Sequence, residues 1–325
     1  MKRLLALLLA IGLAPTWLRD APRLPNREQR VEAVSLPLPP PAHRAAVLGA
    51  FRLEGVWQLV SPHDDFGGFS ALILREGRRF LAFSDLGHAL DFPAPDGPPG
   101  PSHLRPIQPV RSYMKADYDA EAASRDPATG QIWIAWETTN SISRHGADLR
   151  REKSVAPPEM DWGINSGPES LVRLADGRFL VLREGFVRQM DDRLHQALLF
   201  PGDPVDGTRP IRFLMAGPPG MKPTDAAQLP DGRVLVLLRR LVWPMPPRFA
   251  GSLAIGDPAA IRSGAVWRLR EVAKLSSSLA VDNFEGLAVE PLDGGRIVVW
   301  LISDDNGAVS QRSLVWKLSV NPADL

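Results

Sequence analysis

Cysteine is absent from this 325-residue chain, tyrosine occurs only twice and histidine six times. Without cysteine there is no disulfide framework, no thiolate metal site and no lipid anchor attached through a thiol. His43, His63, His88, His103, His145 and His195 stand singly, and no HExxH, P-loop or GxGxxG pattern occurs. That removes the zincin, nucleotide and dinucleotide classes. Charge of one sign is missing as well: 38 Lys and Arg balance 37 Asp and Glu, a formal net charge of +1, and no basic run concentrates them. Nucleic acid is therefore not an expected partner. No apolar run reaches the about 20 residues that a membrane-crossing helix needs, so no stable span is expected. Proline (32) and glycine (27), by contrast, are plentiful, which suits a chain of many turns better than a helical one.

The organising stretch is residues 67–85, where Ser70 opens an apolar run, Glu76-Gly77 supplies a turn, and a second apolar run ends at Asp85. It predicts a β-hairpin with a polar residue at each outer end. The pattern returns at 121–137, 168–184, 223–239 and 284–304. The copies at 168–184 and 223–239 align without gaps up to their last residues, so Thr224 stands where Glu169 stands. Copies start roughly every 50 to 60 residues, the spacing of β-propeller blades and their loops. The expected fold is all-β, a single propeller with five blades counted and six still open. Apolar positions alternating along each hairpin suit packing between blades. Residues 56–60 are predicted to close the ring by pairing with 314–318, hiding an edge that would otherwise be bare. Residues 195–200 and 210–215 are expected to be outer strands of the third blade, and 265–275 the outer edge of the fourth. Residues 1–20 combine Lys2 and Arg3, an apolar core over 4–13 and small residues at 10–14, the form of a signal peptide. A periplasmic or secreted location follows. Residues 21–50 are proline-bearing and read as a linker or arm, leaving 51–325 as the propeller.

Strand polarity converts the repeat into a site. The first strand of a blade begins on the face where the second ends, so two polar columns converge on one channel mouth. The starts are Ser70, Glu121, Glu169, Thr224 with Asp225, and Glu285. The ends are Asp85, Glu137, Arg183 with Glu184, Arg239 with Arg240, and Asp304 with Asp305. Crowded carboxylates repel unless a cation or arginine compensates, and oxygen ligands without cysteine or paired histidine suit Ca²⁺. The expected ligands are Glu121, Glu285, Asp85 and Asp225, with Glu169, Glu137 and Asp304 as catalytic groups. Arg183, Arg239, Arg240 and Arg144, the last on a long loop, are expected to hold a small anionic or ester substrate. Solvated strand ends and loop charges are the plain alternative. Gly68-Phe69-Ser70-Ala71-Leu72 only partly resembles a nucleophile elbow, lacking its last glycine and its helix, and a serine nucleophile is set aside.

The series Gly68-Phe69-Ser70-Ala71-Leu72, Phe83-Ser84-Asp85-Leu86-Gly87, Asp119-Ala120-Glu121-Ala122, Gly167-Pro168-Glu169-Ser170-Leu171, Arg183-Glu184-Gly185 and Asp282-Asn283-Phe284-Glu285-Gly286-Leu287 resembles the phytase-like, or "esterase-like activity of phytase", family of exported bacterial proteins. Similarity to β-propeller phytases implies a calcium-dependent phosphomonoesterase whose cations activate water and neutralise phosphate. Three readings stand at this point: a Ca²⁺-assisted hydrolase of phosphate or carboxylic esters, a lactonase-type propeller hydrolase with one central cation, and a non-enzymatic periplasmic scaffold.

Overall fold

The computed structural model describes residues 24–108, 118–163, 166–188, 191–243, 248–276 and 279–325. The leader expected at 1–20 lies outside them. Among the described residues no helix is long and apolar enough to cross a membrane.

Five sheets, antiparallel except for one short parallel edge in the third, make five blades. The chain enters through β1 (Glu32–Ser35), helix α1 (Pro41–Leu48) and β2 (Arg52–Val60). Blade 1 is β3 (Phe69–Arg75), β4 (Arg79–Ser84), β5 (His88–Pro93) and β6 (His103–Pro106). Blade 2 is β7 (Ala120–Arg125), β8 (Ile132–Trp136), β9 (Ser141–His145) and β10 (Arg151–Val155). Blade 3 holds β11 (Pro168–Arg173), β12 (Phe179–Arg188), β13 (Asp191–Phe200) and β14 (Ile211–Ala216). Blade 4 holds β15 (Lys222–Gln228), β16 (Val234–Val242), β17 (Arg248–Gly256) and, past the short β18 (Val266–Arg268), β19 (Arg270–Leu275). Blade 5 is β20 (Asn283–Pro291), β21 (Ile297–Asp304) and β22 (Leu314–Val320), completed by β2 and β1.

The count of five holds, and so does the closure. Val56 pairs with Trp316, Trp57 with Val315 and Gln58 with Leu314. Strand β1 then covers β2, so part of the stretch read as a linker or arm is the outermost strand of the closing blade. Helix α1 starts on Pro41, whose fixed φ suits a first helical turn, and sends Leu48 into the core between blades 4 and 5. The stretch 265–275 divides: β18 joins blade 3 in parallel with β14, and only β19 edges blade 4.

The core is five separate clusters, one between each pair of neighbouring blades. Each second strand feeds two of them. In β16, Leu235 and Leu237 face blade 5 while Val234, Val236 and Leu238 face blade 3. In β21, Ile297, Val299 and Leu301 face blade 4 while Val298, Trp300 and Ile302 face blade 1. Because both faces of the sheet are buried, these strands are apolar at every position rather than at alternate ones, which corrects the expected pattern. Inner strands carry small residues because the ring is tight at its axis. A Cβ on Gly286 would lie 2.9 Å from the backbone of Ala71 in the next blade.

Removal of residues 24–60 should expose the whole edge of β22 and take Leu53, Val56 and Leu59 from the core. The shortened chain is expected to self-associate and lose cooperative unfolding, as read by light scattering and thermal denaturation. A monomer with the melting temperature of the full chain would contradict the closure.

Candidate metal and catalytic site at the channel mouth

Every inner strand carries a β-bulge at its start. The ladder shifts between Phe69 and Ala71, Ala120 and Ala122, Pro168 and Ser170, Pro223 and Asp225, and Phe284 and Gly286. The residues on the bulges are Ser70, Glu121, Glu169, Thr224 and Glu285, the column read from the sequence repeat, and all five are buried. A bulge re-aims a side chain and ends pairing, which is how five strands bring polar groups to one mouth.

Carboxylates dominate that mouth. Oxygens of Asp119, Glu121 and Glu137, all buried, lie within 4.8 Å of one another. Glu137 Oε1 accepts from the Gly167 amide at 3.3 Å, and Asp119 Oδ2 accepts from Thr138 Oγ1 at 2.6 Å. Glycine is required where backbone meets these groups: a Cβ on Gly167 would lie 2.8 Å from Glu137 Cγ, and one on Gly68, at φ +66°, 2.3 Å from Asp85 Oδ1. Asn283 Nδ2 donates to Glu285 Oε1 at 2.7 Å and to Asp304 Oδ2 at 3.5 Å. The principal counter-charge is Arg239, 2.9 Å from Glu285 Oε1 and 3.6 Å from Glu184 Oε1, with its guanidinium 5.8 Å from the Phe249 ring centre. Lys222 adds a second cation, 3.2 Å from Glu184 Oε2.

Burial and mutual repulsion lift the acids. Desolvation first, then Glu285, Asp119, Glu137 and Asp85, push Glu121 well above the ordinary carboxylate range. Burial, Glu121, Glu184 and Glu285 do the same to Glu169, against partial relief from Arg239. Glu285 is raised by burial although Arg239 and Asn283 oppose it. Asp304 is pushed up to about 8 by burial and Glu285, in spite of the Asn306 amide on its Oδ1 at 2.6 Å. Burial disfavours the charge on Arg239, yet Glu285, Glu184, Glu169 and Asp304 outweigh it and hold the guanidinium above its ordinary value.

A family model described as esterase-like activity of phytase matches residues 64–307. The chain belongs to the phytase-like family. No curated protein matches this phytase-like chain. Solved structures similar to it include a protein of unknown function from Dyadobacter fermentans (9% identity, 84% of this chain and 99% of that one, TM-score 0.47). A putative oxidoreductase, described as a glucose dehydrogenase, from Thermus thermophilus is similar at 12% identity over 82% and 99% of the two chains, with a TM-score of 0.44. The phytase-like chain spans 60% of a hydrazine synthase chain from Kuenenia stuttgartiensis, at 12% identity, 77% coverage of its own length and a TM-score of 0.40. Likeness at these scores says nothing about chemistry.

The phytase-like mouth gathers Glu121, Glu169, Glu285, Asp85, Glu137, Asp304 and Arg239: each acts electrostatically on others of the group. Four expected residues stand apart. Asp225 is buried beside the ring, but Oδ1 accepts from the Ala226 amide at 2.8 Å and Oδ2 from the Leu287 amide at 2.7 Å, so it braces blade 4 against blade 5 instead of offering itself as a ligand. Arg144 lies near the far end of β9, 2.7 Å from Asp203 and 3.0 Å from Glu152, where it ties blades 2 and 3 on the opposite face. Arg240 is exposed, because strand alternation turns it away from the side Arg239 occupies. Arg183 is held by Ser166 and Gln196, and burial lowers its pKa. Sequence reasoning missed Asp119, Lys222 and Asn283, and left Glu184 without a role. Asp119 stood in the quoted motif two residues before Glu121, a spacing that sets both on one face of a strand.

Each raised acid binds more protons in the native state than in the unfolded one. Its contribution to stability is therefore complete below about pH 4, near the unfolded pKa. It is lost as pH climbs through the folded pKa, about 8 for Asp304. Chelator-treated protein should show a melting temperature that falls between about pH 5 and about pH 8.5, and Glu121→Gln should flatten that slope. A melting temperature that rises across this window would contradict the crowding.

Proposed function

We propose that the protein is an exported, Ca²⁺-assisted hydrolase of phosphate or other esters, working at the channel mouth. The observation that carries this reading is the buried Asp119, Glu121 and Glu137 trio, with oxygens within 4.8 Å of one another. The donor set fits the ion: it is all oxygen, which suits a hard cation and not zinc or copper. Buried Ser70 Oγ and Asn283 Oδ1 also have no hydrogen-bond partner among the described residues, and calcium takes neutral oxygens alongside carboxylates. Asp119, Glu121 and Glu137 would hold the cation, with Glu285 and Asp85 beside them. Bound there, the cation would polarise a coordinated water for attack and offset negative charge on the substrate.

The remaining roles belong to the chain's own groups. Asp304, with its pKa near 8, keeps its proton at neutral pH and is the donor for a leaving alkoxide. Glu169, lifted in the same direction, is the second proton-carrying acid. Arg239, oriented by Glu285 and set over Phe249, and Lys222 supply the positive charge for an anionic substrate. Residues 1–20 would direct the chain to the periplasm or the medium and then be removed.

Protein recovered from the periplasmic fraction without chelator is expected to begin after residue 20 and to carry about one or more divalent ions per chain by elemental analysis. Free Ca²⁺ at about 100 times its Kd should add about 2.7 kcal/mol of stability. Hydrolysis of p-nitrophenyl phosphate or p-nitrophenyl acetate should depend on Ca²⁺ and fall at least about a hundredfold in Glu121→Gln and Glu137→Gln. Protein that holds no metal, and whose melting temperature ignores both calcium and chelator, would sink this reading in favour of a scaffold.

A further inference from the structure

Blade 3 departs from its ladder where it meets the mouth. Between the pairs Leu182–Ala197 and Phe186–His195, β12 carries Arg183, Glu184 and Gly185 against the single Gln196 of β13. An excess of this kind takes backbone groups out of the ladder and re-aims a side chain. The Glu184 amide goes to the Gly167 carbonyl at 3.2 Å. Its carbonyl goes to a side chain: His195 Nδ1 lies 2.9 Å away, and Nε2 of the same ring is 3.1 Å from the carbonyl of Met221, the residue before β15 of blade 4 begins. Glu184 and Lys222, the acid and the base next to these two carbonyls, meet at 3.2 Å.

Carbonyl oxygens only accept, so both ring nitrogens of His195 face acceptors. A neutral imidazole has one N–H and turns a lone pair toward the other carbonyl, whereas the imidazolium has a donor for each. His145, equally buried, shows the contrast. There Nδ1 donates to the Leu149 carbonyl at 3.0 Å, and Nε2 accepts at 2.8 Å from Ser143 Oγ, which itself accepts from Trp136 Nε1 at 2.6 Å, a chain that the neutral ring completes. The charged groups about His195 are Glu184 and Arg183 from β12 and Lys222 from β15. Glu184 favours the protonated ring, Lys222 is paired with Glu184, and Arg183 is engaged by Ser166 and Gln196. Met215, opposite on β14, and Phe186, with its ring centre 4.8 Å away, carry no charge. Burial lowers the pKa of His195, and the carbonyls of Met221, Glu184 and Arg183 oppose it.

We infer that His195 is a positioning residue of the mouth: with both nitrogens protonated it ties the Glu184 carbonyl of blade 3 to the Met221 carbonyl of blade 4 and keeps Glu184 against Lys222 and Arg239. On losing one proton to solvent the ring holds a single carbonyl, and that set loosens. The consequence falls on the cations of the mouth. Glu184 lies 3.2 Å from Lys222 and 3.6 Å from Arg239, so its placement decides how much of their charge is left for an anion. The inference deepens the hydrolase reading by adding a proton-dependent control of the mouth, and it rests on that reading for what the cations serve but not for the clamp itself.

NMR of the imidazole nitrogens in chelator-treated full-length protein reads the ring directly, its signals identified by their proximity to the Phe186 ring. Between about pH 8 and about pH 5 the His195 ring should pass from one N–H to two, both slow to exchange because both end on buried carbonyls. Lys222, with a side chain 38% exposed, is open to acylation by acetic anhydride, and its labelling is read by mass spectrometry as a ratio to the exposed Lys274. That ratio should be low below the His195 midpoint and rise about threefold above it, the size of an ion pair at a partly exposed site. In His195→Gln and His195→Phe it should be high and flat with pH. A ring that carries a single proton throughout overturns the inference, and that result needs no variant to fold. So does a parent ratio with no step at the His195 midpoint. Neither readout uses hydrolysis: a protein that shows the step but cleaves no ester in calcium keeps the clamp and loses the hydrolase, and one that cleaves esters without the step does the reverse.

Discussion

Crowding of buried carboxylates at one end of a narrow channel is the constraint on which the rest of this propeller depends. Glu121, Glu169 and Glu285 sit on three of five bulges, with Asp119, Glu137, Asp85, Glu184 and Asp304 around them, and among the described residues Arg239 and Lys222 are cations that answer them. Burying charge of one sign costs several kcal/mol per ion unless it is paired, so the acids stay protonated or share a cation. The scaffold holds them there regardless, because each inner strand is fixed by two of the five clusters between blades. Stability is located in the second strands, apolar on both faces, and is what permits an unfavourable mouth.

Much of this was legible in the sequence, since the information is periodic. Residues repeated at the same place in five hairpins must occupy equivalent places in a ring, and strand polarity then says which ends meet. That is why Ser70, Glu121, Glu169, Thr224 and Glu285 could be assigned to one column before any coordinates, and why the partner of residues 314–318 was found. What failed was whatever depends on direction within an equivalent place. Arg240 follows Arg239 by one residue and faces the other way, Arg144 is at the wrong end of its strand, and Asp225 spends both oxygens on backbone amides of its own and the next blade. The bulges that open each inner strand cannot be read from one sequence. Strand β1 escaped notice because its four residues are all exposed, and it is recognisable only by the edge it covers.

The two ends of the mouth differ. On the blade 2 side Asp119, Glu121 and Glu137 bring carboxylate oxygens within 4.8 Å of one another. On the side of blades 4 and 5 Arg239 stands against Glu285 and Glu184. Asp304, linked to Glu285 through Asn283, has its pKa pushed up to about 8.

Proton release on cation binding tests the central claim most directly. If the acids are held protonated by crowding, calcium must displace protons to bind, and titration calorimetry near pH 7 in buffers of different ionisation enthalpy should show at least about one proton released per ion. Release should shrink as pH is raised until Glu121, held protonated by burial and its acidic neighbours, ionises without the ion. Calcium binding with no proton released at neutral pH would mean that the carboxylates are already ionised, and the account of the mouth would be wrong.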